Sequence, residues 1–211
     1  DLMSDSATTG KTPGTDLREG VDTMPVLLLR KALAAGELDA LLREILGFTS
    51  SEYRLTERGP VTLVRPVGDE GPAPLALLRA RPVTTVEDLL VKDAPTLAEE
   101  LQPVDLGDPD APALEGAEPI ESVSRALSTL MTDGHGPAFA LVLAGQWALV
   151  AERERWPEGR WLAVNVQLVV ERHETTRGGE VERALTCLEA RSLLPTAEGE
   201  TWWAATLEDS A

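Results

Sequence analysis

The sequence predicts an α+β fold: an N-terminal helical stub, then a mixed α/β domain with an antiparallel hairpin-and-strand unit over residues 139–170. Three observations predict it. Leu27, Leu28, Leu33, Leu38, Leu42, Ile45 and Leu46 recur near the helical period over 23–46. The apolar runs Phe139–Leu143 and Trp147–Ala151 flank a turn at Ala144-Gly145, the pattern of a hairpin. Leu162, Val164, Val166, Leu168 and Val170 then alternate with Ala163, Asn165 and Gln167, as a strand with one buried face does.

In chain order, residues 1–20 are rich in Ser, Thr, Gly and Asp and read as a loop. Asp22 is placed to cap the helix over 23–46, Pro25 sits in its first turn, and Gly36 ends or bends it. Val61–Val64 and Leu75–Leu78 read as short strands around a turn containing Gly68, Asp69, Glu70, Gly71 and Pro72. Val86–Val91 supplies a helical turn or two. The stretch 93–119 holds Pro95, Pro103, Pro109, Pro112 and Pro119 among acidic residues and reads as an exposed linker or long loop. Ile120, Val123, Leu127 and Leu130 fall on one face of an amphipathic helix. Gly178-Gly179 breaks the chain, and Val181, Leu185 and Leu188 mark a closing helix. The divisions expected are 1–40, 41–92, the linker 93–119, and 120–211 as the second part of the domain begun at 41.

With 211 residues, 43 % of them hydrophobic, the chain can bury a sizeable core, which argues against wholesale disorder. The formal net charge is −17, most of it after residue 40, so no direct grip on nucleic acid and no binding to anionic membrane are expected. Cys187 is the single cysteine, so no intrachain disulfide forms, and a reducing, cytoplasmic setting is expected. No apolar run reaches membrane-spanning length and no signal peptide opens the sequence.

The most specific local pattern is Gly10-Lys11-Thr12-Pro13-Gly14-Thr15-Asp16-Leu17-Arg18-Glu19-Gly20, followed by Thr23-Met24-Pro25-Val26. It resembles the run just after the second aspartate-rich motif of polyprenyl synthetases, the trans-isoprenyl diphosphate synthases. The resemblance covers roughly residues 1–40 and implies two site residues. Asp1 matches the last aspartate of the motif, a ligand of magnesium; Lys11 matches the lysine that binds the allylic diphosphate; Asp16, Arg18 and Glu19 match the loop beneath. The chemistry is coherent, since a hard cation takes oxygen ligands and ionising a carbon–oxygen bond requires neutralising the departing diphosphate. By the same resemblance, the two earlier aspartates would precede residue 1 and the first aspartate-rich motif has no counterpart. Asp1 and Lys11 are therefore expected to be vestigial, without prenyl transfer, in a truncated or chimeric chain. Without the resemblance, the run is a Gly/Pro-rich turn with solvated charges. Thr9-Gly10-Lys11-Thr12 is not the end of a phosphate-binding P-loop, because Asp5 stands where that motif needs glycine.

Beyond Leu41 the pattern changes. Arg43-Glu44-Ile45-Leu46-Gly47-Phe48, Glu52-Tyr53-Arg54-Leu55, Pro74–Pro82 and Phe139–Val150 are similar to the leading region of class I S-adenosylmethionine-dependent DNA methyltransferases of restriction-modification and phage-defence systems. Trp156, Glu158–Leu162 and Ser192-Leu193-Leu194 follow in the same order. The resemblance implies a non-catalytic region that precedes the methyltransferase core and has a nuclease-like fold. A nuclease needs Asp and Glu-x-Lys on adjacent strands to hold magnesium, whereas the corresponding strand carries Arg79-Ala80-Arg81. The sequence contains no Asn/Asp-Pro-Pro-aromatic run and no Phe-x-Gly-x-Gly loop, so S-adenosylmethionine (SAM) would bind only in a core outside these residues. No cofactor is expected in the chain itself, and its protein partners stay unassigned. The preferred reading of 41–211 is a structural α+β domain. The competing reading is an isoprenyl diphosphate synthase family member with an appended domain.

The remaining candidates are weaker. His135, between two glycines, reads as a loop residue, and His173-Glu174 lacks the second histidine of a zinc helix. Cys187 falls on the apolar face of the closing helix and reads as buried. Trp202-Trp203 read as core or interface anchors, and Glu152–Arg155 as a solvated strand end.

Overall fold

The computed structural model describes residues 43–44, 46–102, 118–132, 136–172, 180–195, 201 and 203. Residues 23–42 of the helix predicted over 23–46, the loop 1–20, His135, His173 and Trp202 lie outside the described residues. What is described is an α+β fold built on one six-stranded mixed sheet.

The strands are β1 (Tyr53–Arg58), β2 (Val61–Pro66), β3 (Leu75–Arg79), β4 (Phe139–Ala144), β5 (Trp147–Glu152) and β6 (Leu162–Asn165). They lie side by side in sequence order. All neighbours are antiparallel except β3 and β4, which run parallel with Leu75 opposite Phe139 and Arg79 opposite Leu143. That pairing requires the chain between them to cross a face of the sheet. The crossover carries a 3-10 turn at Val86–Leu90 and helix α1 (Val123–Thr132). After β6 come α2 (Val166–Glu171), α3 (Glu180–Leu188) and α4 (Ala190–Leu193).

Alternation along the strands sends side chains to two cores. On one face, Val64, Leu75, Leu77, Phe139, Leu141, Leu143 and Val150 meet Leu46, Phe48, Val166, Val169, Leu188, Leu193 and Leu194. On the other, Val61, Ala76, Leu78, Ala140, Val142, Ala144, Leu149 and Ala151 meet α1 through Val123, Ala126, Leu127, Leu130 and Met131. The second face is the alanine-rich one, and small residues let a helix approach a sheet closely. A fully buried leucine such as Leu77 or Leu141 contributes roughly 1.5–3 kcal/mol relative to exposure.

Three expectations need correction. The strand after β5 ends at Asn165, not Val170. The Asn165 side chain accepts a hydrogen bond from Leu168 N at 2.9 Å and caps α2, which buries Val166 and Val169 and leaves Leu168 exposed. The hairpin turn is Gly145-Gln146, because Ala144 still pairs with Trp147. Of the exposed linker or long loop expected over 93–119, residues 93–102 keep the loop but are docked on the domain. Thr96, Leu97 and Leu101 are buried, Leu97 bridges to Ala80 and Leu101 to Ile120. Thr96 Oγ1 accepts from Val123 N at 3.0 Å and ties this stretch to the start of α1, where Ser122 Oγ donates to Val91 O just ahead of it at 3.3 Å. The described part of the expected linker thus caps α1, satisfying one of the N–H groups that a helix start leaves over.

Candidate functional site

In open sheets with parallel strands, ligands bind beyond the carboxyl ends of those strands. Here that end belongs to β3 and β4, and three groups converge on it. Pro82–Thr84 follows β3, the Gly145-Gln146 turn follows β4, and Arg79 closes β3.

The hairpin tip is seated on the segment after β3. The Gln146 side-chain amide donates to Thr84 O at 3.1 Å and to Val83 O at 3.4 Å. Trp147 Nε1 donates to the same Thr84 carbonyl at 3.2 Å. Gly145 lies so close that a Cβ there would stand 2.8 Å from Pro82 Cβ. Trp147, Trp156 and Trp161 pack against the alanine-rich core beside Val83 and Leu90. Trp156 Nε1 reaches Ser128 Oγ on α1 at 3.4 Å. The tryptophans therefore join the hairpin, the crossover and the loop before β6.

Arg79 opens the Arg79-Ala80-Arg81 run at the end of β3. Its NH2 donates to Glu99 Oε1 at 2.9 Å and to Gly59 O at 3.1 Å. The ion pair is partly exposed, so its net worth is at most about 1 kcal/mol, and its main effect is to fix where the guanidinium sits. Ala80 bridges to Leu97, and the exposed Arg81 donates its backbone N–H to Thr96 O at 2.7 Å. The strand end thus carries two arginines, one of them paired with the Glu99 carboxylate, and backbone ties to the crossover. Among the described residues, no group of three or more His, Cys, Asp or Glu side chains lies close enough to hold a metal ion.

The other predicted residues are dispersed. Asp1 and Lys11 lie outside the described residues. Cys187 is half-buried, and burial pushes its thiol pKa up, which disfavours the reactive thiolate. Its carbonyl accepts from Trp203 Nε1 at 3.1 Å, so Trp203 anchors the end of α3 and packs on the first core. Glu152–Arg155 is not purely a solvated end. Arg153 NH1 donates to Gly136 O at 2.7 Å, tying the end of β5 to the entry of β4. Burial raises the Glu152 pKa, partly offset by Arg155 at 3.9 Å. The tie between Gln146 and Thr84 was not anticipated from sequence; its only local signal is a polar residue between Gly145 and Trp147 in an otherwise apolar run.

Among the described residues no helix is long and apolar enough to cross a membrane. Compared with protein-family models, with curated proteins and with solved structures, the chain matches none.

Proposed function

We propose that residues 41–211 act as a non-catalytic leading domain of a DNA methyltransferase of the restriction-modification or defence type, positioning a separate catalytic unit. The observation that supports this reading is the state of the β3–β4 carboxyl end. Its own residues fill it: Arg79 is committed to Glu99 and Gly59, and the hairpin tip rests on Pro82–Thr84. The motif order from Arg43 to Leu194 supplies the methyltransferase half of the reading. SAM would then be bound by the catalytic unit, in a cytoplasmic setting. In the source genome, deleting codons 41–211 in frame should erase or alter one methylated DNA motif, read by single-molecule sequencing. The purified chain with SAM and plasmid DNA should transfer no methyl group. An unchanged methylome, or methyl transfer by the chain alone, would sink the reading.

A second reading rests on Gly10–Gly20, the run similar to polyprenyl synthetases, in which Asp1 and Lys11 are remnants of a magnesium–diphosphate site. The chain with magnesium, isopentenyl diphosphate and an allylic diphosphate is expected to give no elongated product. Turnover that disappears in Lys11→Ala would instead establish a prenyltransferase with an appended domain.

A further inference from the structure

Among the described residues the sheet has one open edge of useful length. The hydrogen bond from Val67 N to Glu52 O at 2.8 Å sets the β1–β2 ladder. Counting by twos in the antiparallel register makes Arg54–Arg65, Thr56–Leu63 and Arg58–Val61 the hydrogen-bonded pairs. Tyr53 then faces Pro66, which has no N–H to give, and that agrees with this phase. Leu55 and Glu57 consequently aim their N–H and C=O groups away from the sheet. Leu55 is 37 % exposed, and Arg54, Thr56 and Glu57 are exposed as well. The opposite edge is blunted, since β6 has four residues and runs directly into α2.

The charges along this edge point to what would cover it. Arg54 and Arg65 stand directly opposite one another, and Arg58 lies on the same face four residues from Arg54, with Thr56 between them. None of these three arginines has an ion-pair partner among the described residues, and Arg65 Nε is buried without a hydrogen bond. Like charges in a cross-strand pair destabilise a sheet. In a chain of net charge −17, three cations left together beside an open edge are an exception.

We propose that β1 is a docking edge for an extended acidic peptide segment of a partner protein, which adds a seventh strand next to Leu55 and Glu57. The segment's backbone pairs with the outward groups of those two residues. Its alternate carboxylates lie over Arg54 and Arg58, with Arg65 behind. Backbone pairing supplies affinity, and the alternating side chains supply the preference for acid. A second copy of this chain fits less well. Pairing β1 with itself brings Arg54 diagonally against the other copy's Arg54 or opposite its Arg58. The proposal stands whether or not the domain accompanies a methyltransferase.

The test uses the full chain and a fluorescein-labelled octapeptide of alternating valine and glutamate, read by anisotropy. Binding is expected, weakening at least tenfold when glutamine replaces glutamate in the peptide or when Arg54→Glu and Arg58→Glu are combined. Leu55→Pro removes an outward N–H and no inward one, so the strand should stay paired in circular dichroism and melting while binding is lost. Thr56→Pro breaks an inward bond and should unfold the edge. No binding at millimolar peptide, equal binding of the glutamine peptide, or full binding by folded Leu55→Pro would each overturn the proposal. Tighter binding of a single-stranded oligonucleotide that Leu55→Pro leaves intact would overturn it in favour of nucleic acid. A dimer in sedimentation equilibrium that Leu55→Pro abolishes would overturn it in favour of a second copy.

Discussion

At Gly145 the backbone turns with φ near +60°, a conformation that side-chain-bearing residues rarely adopt, and the space a Cβ would need is taken by Pro82. Gly145→Ala combines the strain of that conformation with a collision against a ring held in place. A loss of about 1–3 kcal/mol is expected in urea unfolding, and an unchanged midpoint would show that the hairpin tip is not seated as described. The glycine was legible in the sequence as a turn, but its contact with a residue more than sixty positions earlier was not. Local pattern fixes the turn; the tertiary packing fixes how close it comes. Glu152 gives a second test, with the sign worked out. Burial raises its carboxyl pKa above the ordinary 4.5, and Arg155 restores only part of the difference. The folded chain therefore holds that proton more readily than the unfolded chain. The ionised carboxylate opposes folding at neutral pH, and the penalty fades as pH falls through the raised value and is gone below about 4.5. Glu152→Gln should melt above the parent at pH 7, with the gap closing as pH falls towards 4. A variant that melts below the parent at pH 7, with the deficit closing on acidification, would mean that the Arg155 pair outweighs burial.

Among the elements, the apolar ones could be read and the polar or ambiguous ones could not. β2, β3, β4, β5 and α1 announced themselves because their buried residues recur at the strand or helix period, as Ile120, Val123, Leu127 and Leu130 do. β1 gave no such signal: Arg54, Leu55, Thr56 and Glu57 are all exposed, so nothing in their order had to alternate. The run from Leu162 to Val170 fits two periods at once. An unbroken strand would put Val166 and Leu168 on one face, whereas the chain buries Val166 and Val169, one helical turn apart, and exposes Leu168. What decides is Asn165, whose side chain captures Leu168 N and starts a helix that the alternation alone would not start. Asn165→Ala should cost about 1 kcal/mol, while Asn165→Asp should retain most of the cap. Equal loss from both would point to some other role for the amide. The docking of the loop 93–102 was not legible for a related reason. Pro95 and the acids around it dominate the composition, while Thr96, Leu97 and Leu101, the residues that dock it, are few.

At the scale of the whole molecule, the sheet is organised around the β3–β4 pair, and no local pattern could have paired them, because nearly sixty residues separate their ends. The one hint was the run Leu75-Ala76-Leu77-Leu78, apolar on both faces, which is how a central strand covered on two sides reads. From that position follows an ordered expectation for hydrogen exchange. Amides of Leu77 and Leu141 sit in central strands, with one core on either side of the sheet. Opening them means parting β3 from β4, which exposes both cores together, so they should exchange only through global unfolding and share its free energy. Moving outward, β1 is buried on neither side along most of its length and pairs with β2 alone. Its inward amides, Arg54, Thr56 and Arg58, should exchange through local fraying at a lower free energy. The outward amides of Leu55 and Glu57 should exchange near the unprotected rate. Denaturant should separate the groups further, since local fraying exposes little surface and responds weakly, whereas global unfolding responds with the full slope. A single protection level and a single denaturant slope from β1 to β5 would mean that the edge strand belongs to the same cooperative unit as the centre. Strong protection at Leu55 and Glu57 would mean that the free chain already has a strand on that edge.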